Sequence, residues 1–361
     1  MSVNIAIVGA GLVGKAVLSQ IQHLQKTAAI KYNVVYIATS RKAVFNEDVS
    51  ALDISAALSK LADSSVAPLA TGELIAFLKK SSTPAIMVDN TSNQDIAESY
   101  PAYVEAGISV ATPNKKAFSS DYKLWKDIFV QGEGKGLVYH EASVGAGLPI
   151  ITPLKEMIET GDEVLKIEGV LSGTLSYIFN QFSSSEPSNV KFSEVVKVAK
   201  ELGYTEPDPR DDLNGMDVAR KVTILARISG LQVESPSSFP IESLIPEPLQ
   251  SVSSAQEYMD RLPEFDDEME KLKESAAKEG KFLRYVGSVD MATGKASVGI
   301  VKVAPSHPLA GLQGSLNMVA ITTKRYPDPA PLVIQGSGAG DAVTAMGVVG
   351  DIIKIAQRIA A

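Results

Sequence analysis

The sequence predicts an α/β protein in which a doubly wound parallel sheet is followed by an α+β domain and a C-terminal helix. Three observations support this prediction. Strand-like and amphipathic segments alternate in the first third of the chain, which favours a parallel sheet. The middle combines helical segments with a β-hairpin, and the chain closes with a glycine-rich tract and an apolar helix. A chain of 361 residues is long enough for two domains.

The first domain is assigned to residues 1–150. Short apolar segments predict its strands, and segments with apolar residues at helical spacing predict the helices between them. Strands are expected at residues 5–8, 34–38, 85–88 and 108–111, and helices at residues 12–24 and 71–80.

The second domain is assigned to residues 151–335, where the order of elements predicts an antiparallel or mixed sheet. A hairpin turn is expected at Thr293 and Gly294. Strands are expected at residues 168–171, 282–290, 295–303, 319–324 and 331–335, and helices at residues 175–182, 193–202, 213–228 and 255–279. Residues 336–361 form a third segment, whose helix at 342–359 is expected to pack back on the first domain.

Composition and charge exclude several classes of function. The absence of cysteine rules out disulfides, thiolate metal sites and cysteine nucleophiles, and three scattered histidines argue against a histidine-built zinc site. The formal net charge is −8, and there is no long basic run or bilayer-length apolar stretch, so neither nucleic acid nor a membrane is an expected partner. The N-terminus lacks the pattern of a secretory signal, which predicts a cytoplasmic protein.

A glycine motif follows the first predicted strand and opens the first predicted helix. Glycines allow a tight turn, close approach of a pyrophosphate and close helix–strand packing, and the helix N-terminus offers N–H groups to phosphate. The alternative is a turn with a purely structural role. The context favours a Rossmann-type dinucleotide-binding domain. The G-x-G-x-x-G residues are Gly9, Ala10, Gly11, Leu12, Val13 and Gly14.

The end of the second predicted strand indicates which dinucleotide is bound. The acid that usually binds the ribose 2′-hydroxyl is missing, and Thr39, Ser40, Arg41 and Lys42 occupy the turn instead. Two hydroxyls and two cations suit a 2′-phosphate, so NADP is favoured over NAD. The alternative is a solvated basic loop.

Residues 199–221 concentrate the carboxylates Glu206, Asp208, Asp211, Asp212 and Asp217 ahead of Lys221. Asp217 and Lys221 are four residues apart in a predicted helix and therefore share a face. A surface ion pair is the plain interpretation. Apolar Val222, Ile224 and Leu225 instead indicate a largely buried helix, and converging carboxylates would suit the ammonium of an amino-acid substrate.

The same segment resembles the signature of homoserine dehydrogenases. Further resemblance lies in residues 112–116, 141–149, 172–177 and 307–310, so that it covers essentially the whole chain, and it is strongest to the short fungal form without a regulatory ACT domain. The signature residues are Ala199, Gly203, Tyr204, Thr205, Asp208, Pro209, Asp212, Leu213, Gly215, Asp217 and Lys221.

The resemblance implies an NAD(P)-dependent interconversion of L-homoserine and L-aspartate-4-semialdehyde, in threonine, methionine and isoleucine biosynthesis. Lys221, Asp217 and Lys115 would be catalytic. Substrate contacts would come from Glu206, Asp212, Asp217, Thr174, Gly173 and Tyr204. Cofactor contacts would come from the glycine motif, Ser40, Arg41, Thr91, Ser92, Lys115, Gly203 and Gly340.

The resemblance also implies a monovalent cation, sodium in the first instance, and a homodimer formed through the sheet of the second domain. The cation ligands would be Glu141 and the backbone carbonyls of Val144, Ala146 and Leu148. One carboxylate with neutral carbonyls suits a hard monovalent ion. The alternative is that Glu141 caps neighbouring N–H groups.

Two other functions are compatible with the motifs. One is a different Rossmann oxidoreductase that acts on a small amino acid or semialdehyde. The other is a cofactor-binding sensor without catalysis, although a sensor would not require a lysine among carboxylates beside the nicotinamide.

Overall fold

The computed structural model describes residues 1–130, 132–184 and 189–359. The chain divides into two compact units. The first comprises Met1–Pro149 with Ala339–Ala361, and the second comprises Ile150–Gly338.

The first unit is built on a six-stranded sheet in the order β3-β2-β1-β4-β5-β6. All pairings are parallel except that of β2 with β3, which is antiparallel. This is the doubly wound sheet that the sequence predicts. The strands are β1 Ser2–Val8, β2 Lys31–Ala38, β3 Ala43–Phe45, β4 Ala85–Asp89, β5 Ser109–Ala111 and β6 Val138–Tyr139.

The helices of this unit pack on an apolar sheet. Val17, Leu18 and Ile21 of the first helix share one core with Ile352 and Ile355 of the C-terminal helix, Asp341–Ile359. The helices before it are α1 Leu12–Leu24, α2 Ile54–Asp63, α3 Thr71–Leu78, α4 Gln94–Glu98, α5 Tyr100–Glu105, α6 Lys116–Ser119 and α7 Tyr122–Ile128.

The second unit contains a five-stranded antiparallel sheet in the order β11-β10-β7-β8-β9. The predicted hairpin is confirmed with the same bounds for both strands. The strands are β7 Val164–Val170, β8 Phe282–Asp290, β9 Lys295–Val303, β10 Asn317–Thr323 and β11 Leu332–Gly336, and the helices are α8 Ile151–Glu159, α9 Gly173–Phe182, α10 Phe192–Glu201, α11 Arg210–Leu213, α12 Met216–Ile228, α13 Ala255–Arg261 and α14 Asp266–Lys278.

The predicted continuous helix at residues 213–228 is wrong at its start. The chain forms the short α11, breaks at Asn214 and Gly215, and begins again as α12. Gly215 adopts φ +76, and a Cβ there would lie 2.1 Å from the hydroxyl oxygen of Tyr285. Only glycine tolerates both the left-handed conformation and this contact.

The predicted charged helix at residues 255–279 is also interrupted. Residues Leu262–Phe265 form a 3₁₀ turn between α13 and α14. Pro263 lies in this turn, where its missing N–H and its ring prevent an α-helix from running through. The α/β fold class is otherwise confirmed, and in the described part of the chain no helix is both long and apolar enough to cross a membrane.

Candidate active site

The candidate dinucleotide site lies at the carboxyl ends of β1 and β4, where the winding of the sheet reverses. Ligands of doubly wound sheets bind at this position. A cavity of about 390 Å³ opens here, and its walls include Gly9, Ser40, Thr91 and Ser92, four of the residues predicted for the cofactor. The remaining lining residues are Val8, Thr39, Asn93, Gln94, Ile96 and Lys116.

The three glycines of the motif have different surroundings. A Cβ at Gly14 would lie 2.2 Å from the carbonyl oxygen of Gly9, and one at Gly9, where φ is +93, would lie 2.7 Å from Cγ2 of Thr91. A Cβ at Gly11 would meet no atom of the described residues within 4 Å. The first and third glycines therefore serve the packing of the protein, and the second leaves open space for a ligand to approach.

The two cationic side chains in the turn after β2, Arg41 and Lys42, have different surroundings. The hydroxyl oxygen of Thr39 accepts hydrogen bonds from the N–H groups of Arg41 and Lys42, at 3.3 and 3.1 Å, which holds the turn. The Lys42 ammonium donates to the carbonyl of Ala62, whereas the Arg41 side chain is exposed. Arg41 is therefore the better placed of the two cations for an outside anion.

A buried aspartate organises the far wall of this site, and the sequence analysis missed it. The carboxylate of Asp89 accepts hydrogen bonds from the Tyr100 hydroxyl at 2.6 Å, the Asn114 amide at 2.9 Å and the Thr91 N–H at 2.8 Å. It thus fixes Thr91 and the turn that precedes Lys115. The sequence feature that could have indicated Asp89 is its place as an acidic residue at the end of the apolar strand β4.

The second unit buries the lysine that the sequence singled out. The Lys221 ammonium lies 2.8 Å from the carboxylate of Asp217 and donates to the carbonyl of Leu171 at 2.6 Å. Lys221 is only 7% exposed, which argues against a plain surface ion pair. Leu171 directly follows β7, so the sheet end and α12 together set the position of the ammonium.

Two further acidic residues, Asp212 and Glu206, lie near this pair. Asp212 accepts the Glu206 N–H at 2.8 Å and lies 3.0 Å from the Thr174 hydroxyl. Burial, and then the negative charges of Glu206 and Asp217, raise the pKa of Asp212, against opposing hydrogen bonds. The structure therefore brings Thr174, Glu206, Asp212 and Asp217 together as a negatively charged cluster, which an ammonium would stabilise.

Gly173 and Tyr204, which were predicted to contact the substrate, lie beside Thr174, and Gly203, which was predicted to contact the cofactor, directly precedes Tyr204. The Thr174 hydroxyl lies 2.6 Å from the carbonyl oxygen of Tyr204, and Gly173 is the first residue of α9. The rings of Tyr204 and Tyr177 are 4.7 Å apart. Gly203, at φ +73, follows the end of α10, a position in which glycine is favoured by the left-handed conformation alone.

The predicted cation loop lies in the first unit. Glu141 is 5% exposed, and its N–H donates to the buried Asp351 carboxylate at 2.7 Å. Gly145 and Ala146 adopt φ +77 and +55, which is unusual for alanine. Lys354 of the C-terminal helix has its ammonium 3.7 Å from Glu141 and 3.6 Å from Asp351, so it already contributes one positive charge.

Two further residues that were predicted to contact the cofactor, Lys115 and Gly340, lie in the first unit. Lys115 immediately precedes α6, and its carbonyl accepts the Ser119 hydroxyl at 2.8 Å. Gly340, at φ +114, immediately precedes the C-terminal helix, and its carbonyl accepts the Thr344 N–H at 2.9 Å.

Comparison with protein families gives matches over both units. Residues 149–353 match the family model described as Homoserine dehydrogenase, and residues 9–141 match the one described as Homoserine dehydrogenase, NAD binding domain. A homoserine dehydrogenase of Saccharomyces cerevisiae is 58% identical over 358 residues, which are 99% of each chain.

Two solved structures are similar over almost the whole length. A crystal structure of a Candida auris protein of unknown function has a TM-score of 0.95 at 56% identity, covering 99% of each chain. A hyperthermophilic archaeal homoserine dehydrogenase in complex with NADPH has a TM-score of 0.72 at 26% identity, covering 99% of this chain and 98% of that one.

Proposed function

Since the chain belongs to the homoserine dehydrogenase family, we propose that it interconverts L-homoserine and L-aspartate-4-semialdehyde, within threonine, methionine and isoleucine biosynthesis. The observation that carries this substrate assignment is the buried Lys221 ammonium, paired with the partly exposed Asp217 beside the carboxylates of Glu206 and Asp212. Oxidation of a hydroxyl, or reduction of a carbonyl, requires a group that accepts or donates a proton at the oxygen. A substrate ammonium is bound by carboxylates.

Lys221 moves the proton at the C4 oxygen. During reduction its ammonium donates a proton to the carbonyl oxygen of the semialdehyde, and during oxidation its neutral amine accepts the proton of the homoserine hydroxyl. When bound, the dinucleotide supplies or accepts the hydride at C4. Asp217 and the Leu171 carbonyl orient the nitrogen. Lys115 is the second candidate for polarising this oxygen.

The carboxylate cluster binds the substrate ammonium. Glu206, Asp212 and Asp217 supply negative charge, and Thr174, Gly173 and Tyr204 line the adjoining surface. The Glu206 N–H fixes one oxygen of Asp212, and the Thr174 hydroxyl lies 3.0 Å from the other. The carboxylate is therefore oriented before substrate arrives, which lowers the entropic cost of binding.

The dinucleotide is assigned to the cavity at the carboxyl ends of β1 and β4, with NADP preferred over NAD. The glycine motif and the N-terminus of α1 receive the pyrophosphate. Ser40 and the exposed Arg41 bind the 2′-phosphate. Thr91, Ser92, Lys115, Gly203 and Gly340 complete the contacts.

The loop at residues 141–148 is assigned to a monovalent cation, with sodium as the first candidate. The ligands are the Glu141 carboxylate and the carbonyls of Val144, Ala146 and Leu148. The support for this assignment is the buried Glu141 carboxylate and the sharp turn that the left-handed residues Gly145 and Ala146 give the loop. Its role is structural, because no proton or hydride passes through such an ion.

The active form is assigned as a cytoplasmic homodimer joined through the five-stranded sheet, with neither nucleic acid nor a membrane as a partner. One face of this sheet is covered by α12, because a Cβ on Gly287 would lie 2.3 Å from Val222. The opposite face includes Glu168 and Val333, which is 39% exposed. Light scattering would give a mass of two chains.

The direct test is an assay of NADPH absorbance with L-aspartate-4-semialdehyde. The proposed function requires NADPH consumption and formation of L-homoserine in equal amounts. Turnover with a different semialdehyde alone would favour another oxidoreductase. NADPH binding without any turnover would favour a cofactor sensor.

A further inference from the structure

The substrate loop, residues 206–213 including the short α11, carries Glu206 and Asp212 and is held by an ion pair that takes no part in the chemistry. The Asp208 carboxylate accepts hydrogen bonds from Nε of Arg210 at 3.0 and 3.1 Å and from Nη2 at 2.6 Å. It also accepts the Arg210 N–H at 3.0 Å. Asp208 is therefore committed to Arg210.

The other side of the Arg210 guanidinium reaches a distant part of the unit. Its Nη1 donates to the carbonyl of Val252 at 2.8 Å, and its central carbon lies 5.8 Å from the ring centre of Tyr258. Tyr258 is fully buried in α13. Arg210 thus ties the substrate loop to the segment that leads into α13.

Backbone hydrogen bonds connect Arg210 and its neighbours to the two protein carboxylates that are assigned to substrate binding. The carbonyl of Pro209 accepts the Asp212 N–H at 3.1 Å, so Asp212 lies one short turn after the anchored residues. Asp212 in turn receives the Glu206 N–H at 2.8 Å. A shift of Arg210 therefore reaches both carboxylates.

We propose that Arg210 is a positioning residue that sets the affinity of the enzyme for its amino-acid substrate, by fixing the loop that presents Glu206 and Asp212. This inference rests on the proposed function, because it concerns how that substrate is bound. Arg210 is not among the residues that line the dinucleotide cavity, and its side chain binds Asp208 and the Val252 carbonyl.

Because the Arg210–Asp208 ion pair is partly exposed, its loss should change the position of the substrate loop without a large change in the free energy of unfolding. The side chains of Arg210 and Asp208 are 18% and 29% exposed, and partly exposed ion pairs contribute little to global stability. Hydrogen bonds from Arg210 are the main reason that the pKa of Asp208 lies below its usual range. Asp208 is therefore ionised at neutral pH, and the ion pair persists. Loss of the pair should move the loop more than it unfolds the unit.

The test compares Arg210→Ala and Arg210→Lys with the matched surface variant Arg261→Ala, in an assay of homoserine oxidation. For Arg210→Ala we expect KM for L-homoserine to rise about tenfold or more, the effect of losing a charge-assisted hydrogen bond. The NADPH Kd, by fluorescence titration, and Tm should stay close to those of the wild type. Lysine cannot reproduce the forked contacts, so Arg210→Lys should show an intermediate KM.

Added guanidinium supplies a second readout. Millimolar guanidinium should lower the KM of Arg210→Ala and leave that of Arg261→Ala unchanged. An unchanged KM in both Arg210 variants overturns the inference, as does a raised KM that is accompanied by equal losses of NADPH affinity and Tm. If the wild type itself does not turn over homoserine, the proposed function fails and the inference fails with it; wild-type turnover with unchanged variants refutes the inference alone.

Discussion

The phosphate-binding turn of the first unit and the substrate loop of the second are built in opposite ways. The turn at residues 9–14 depends on what glycine lacks, because Cβ atoms at Gly9 and Gly14 would strike neighbouring atoms at 2.7 and 2.2 Å. The loop leading to Lys221 depends on side chains, since Asp212 and Asp217 each have defined partners at 2.8 Å.

This difference separates the tasks of the two regions. A dinucleotide pyrophosphate can be bound by backbone N–H groups and a helix terminus, which require little specific side-chain chemistry. An amino-acid substrate that must also exchange a proton needs ionised groups at fixed positions. Substitutions in the two regions should therefore change different steps of the reaction.

The largest expected effect is that of Lys221→Ala. Removing the proton donor and acceptor should lower kcat by about 10²–10⁴-fold, the usual contribution of such a group. NADPH affinity should hardly change, because Lys221 is assigned to the substrate oxygen and not to the dinucleotide. Steady-state kinetics with a parallel fluorescence titration measure both quantities. Near-normal turnover would remove Lys221 from the mechanism.

The pH dependence of substrate binding should reveal Asp212. Its pKa is raised, first by burial and then by the charges of Glu206 and Asp217. The ionised carboxylate binds the ammonium, so KM for homoserine should be low above this pKa and rise up to about tenfold per pH unit below it. Asp212→Asn should have a high KM without this inflection. The same inflection in both proteins would exclude Asp212 as its source.

A smaller and more selective effect is expected for Arg41→Ala. Loss of a charge-assisted contact with the 2′-phosphate should weaken NADP by roughly tenfold or more, with little change for NAD. Lys42→Ala is the matched control, because the Lys42 ammonium already donates to the Ala62 carbonyl. Equal losses of NADP and NAD affinity in Arg41→Ala would make Arg41 part of a solvated loop.

The smallest expected effect is that of the cation. Sodium should raise Tm by a few degrees relative to a large organic cation, as expected for a ligand bound only by the folded state. Glu141→Ala should lose this dependence and lose activity through disorder of the loop. A high-resolution structure in sodium buffer should show a spherical peak with oxygen ligands beside Glu141. Ordinary water at that place would defeat the assignment.

The sequence predicted best the features that depend on local patterns. The strands around the glycine motif, the hairpin and the C-terminal helix follow from apolar periodicity and glycine placement. The break at Gly215 did not follow, because it depends on the Tyr285 hydroxyl, which is far away in sequence.

Partners distant in the chain also explain what was missed at the candidate site. Asp208 counts as one more carboxylate in the sequence, but in the structure it binds Arg210, which in turn donates to the Val252 carbonyl. Likewise, the pattern around Glu141 gave no sign of Asp351 and Lys354, which lie about 210 residues further along. Burial raises the pKa of Asp351 to about 7, a consequence of packing that composition does not reveal.

The most direct test of the separation between the two regions is a fluorescence titration of NADPH into three proteins: wild type, Gly14→Ala and Asp212→Asn. We expect Gly14→Ala to bind NADPH more weakly by about tenfold or more, because its new methyl group would strike the Gly9 carbonyl. Asp212→Asn should bind NADPH as the wild type does, although its KM for homoserine is raised. Equal NADPH affinity in all three proteins, or an equal loss in both variants, would contradict the account.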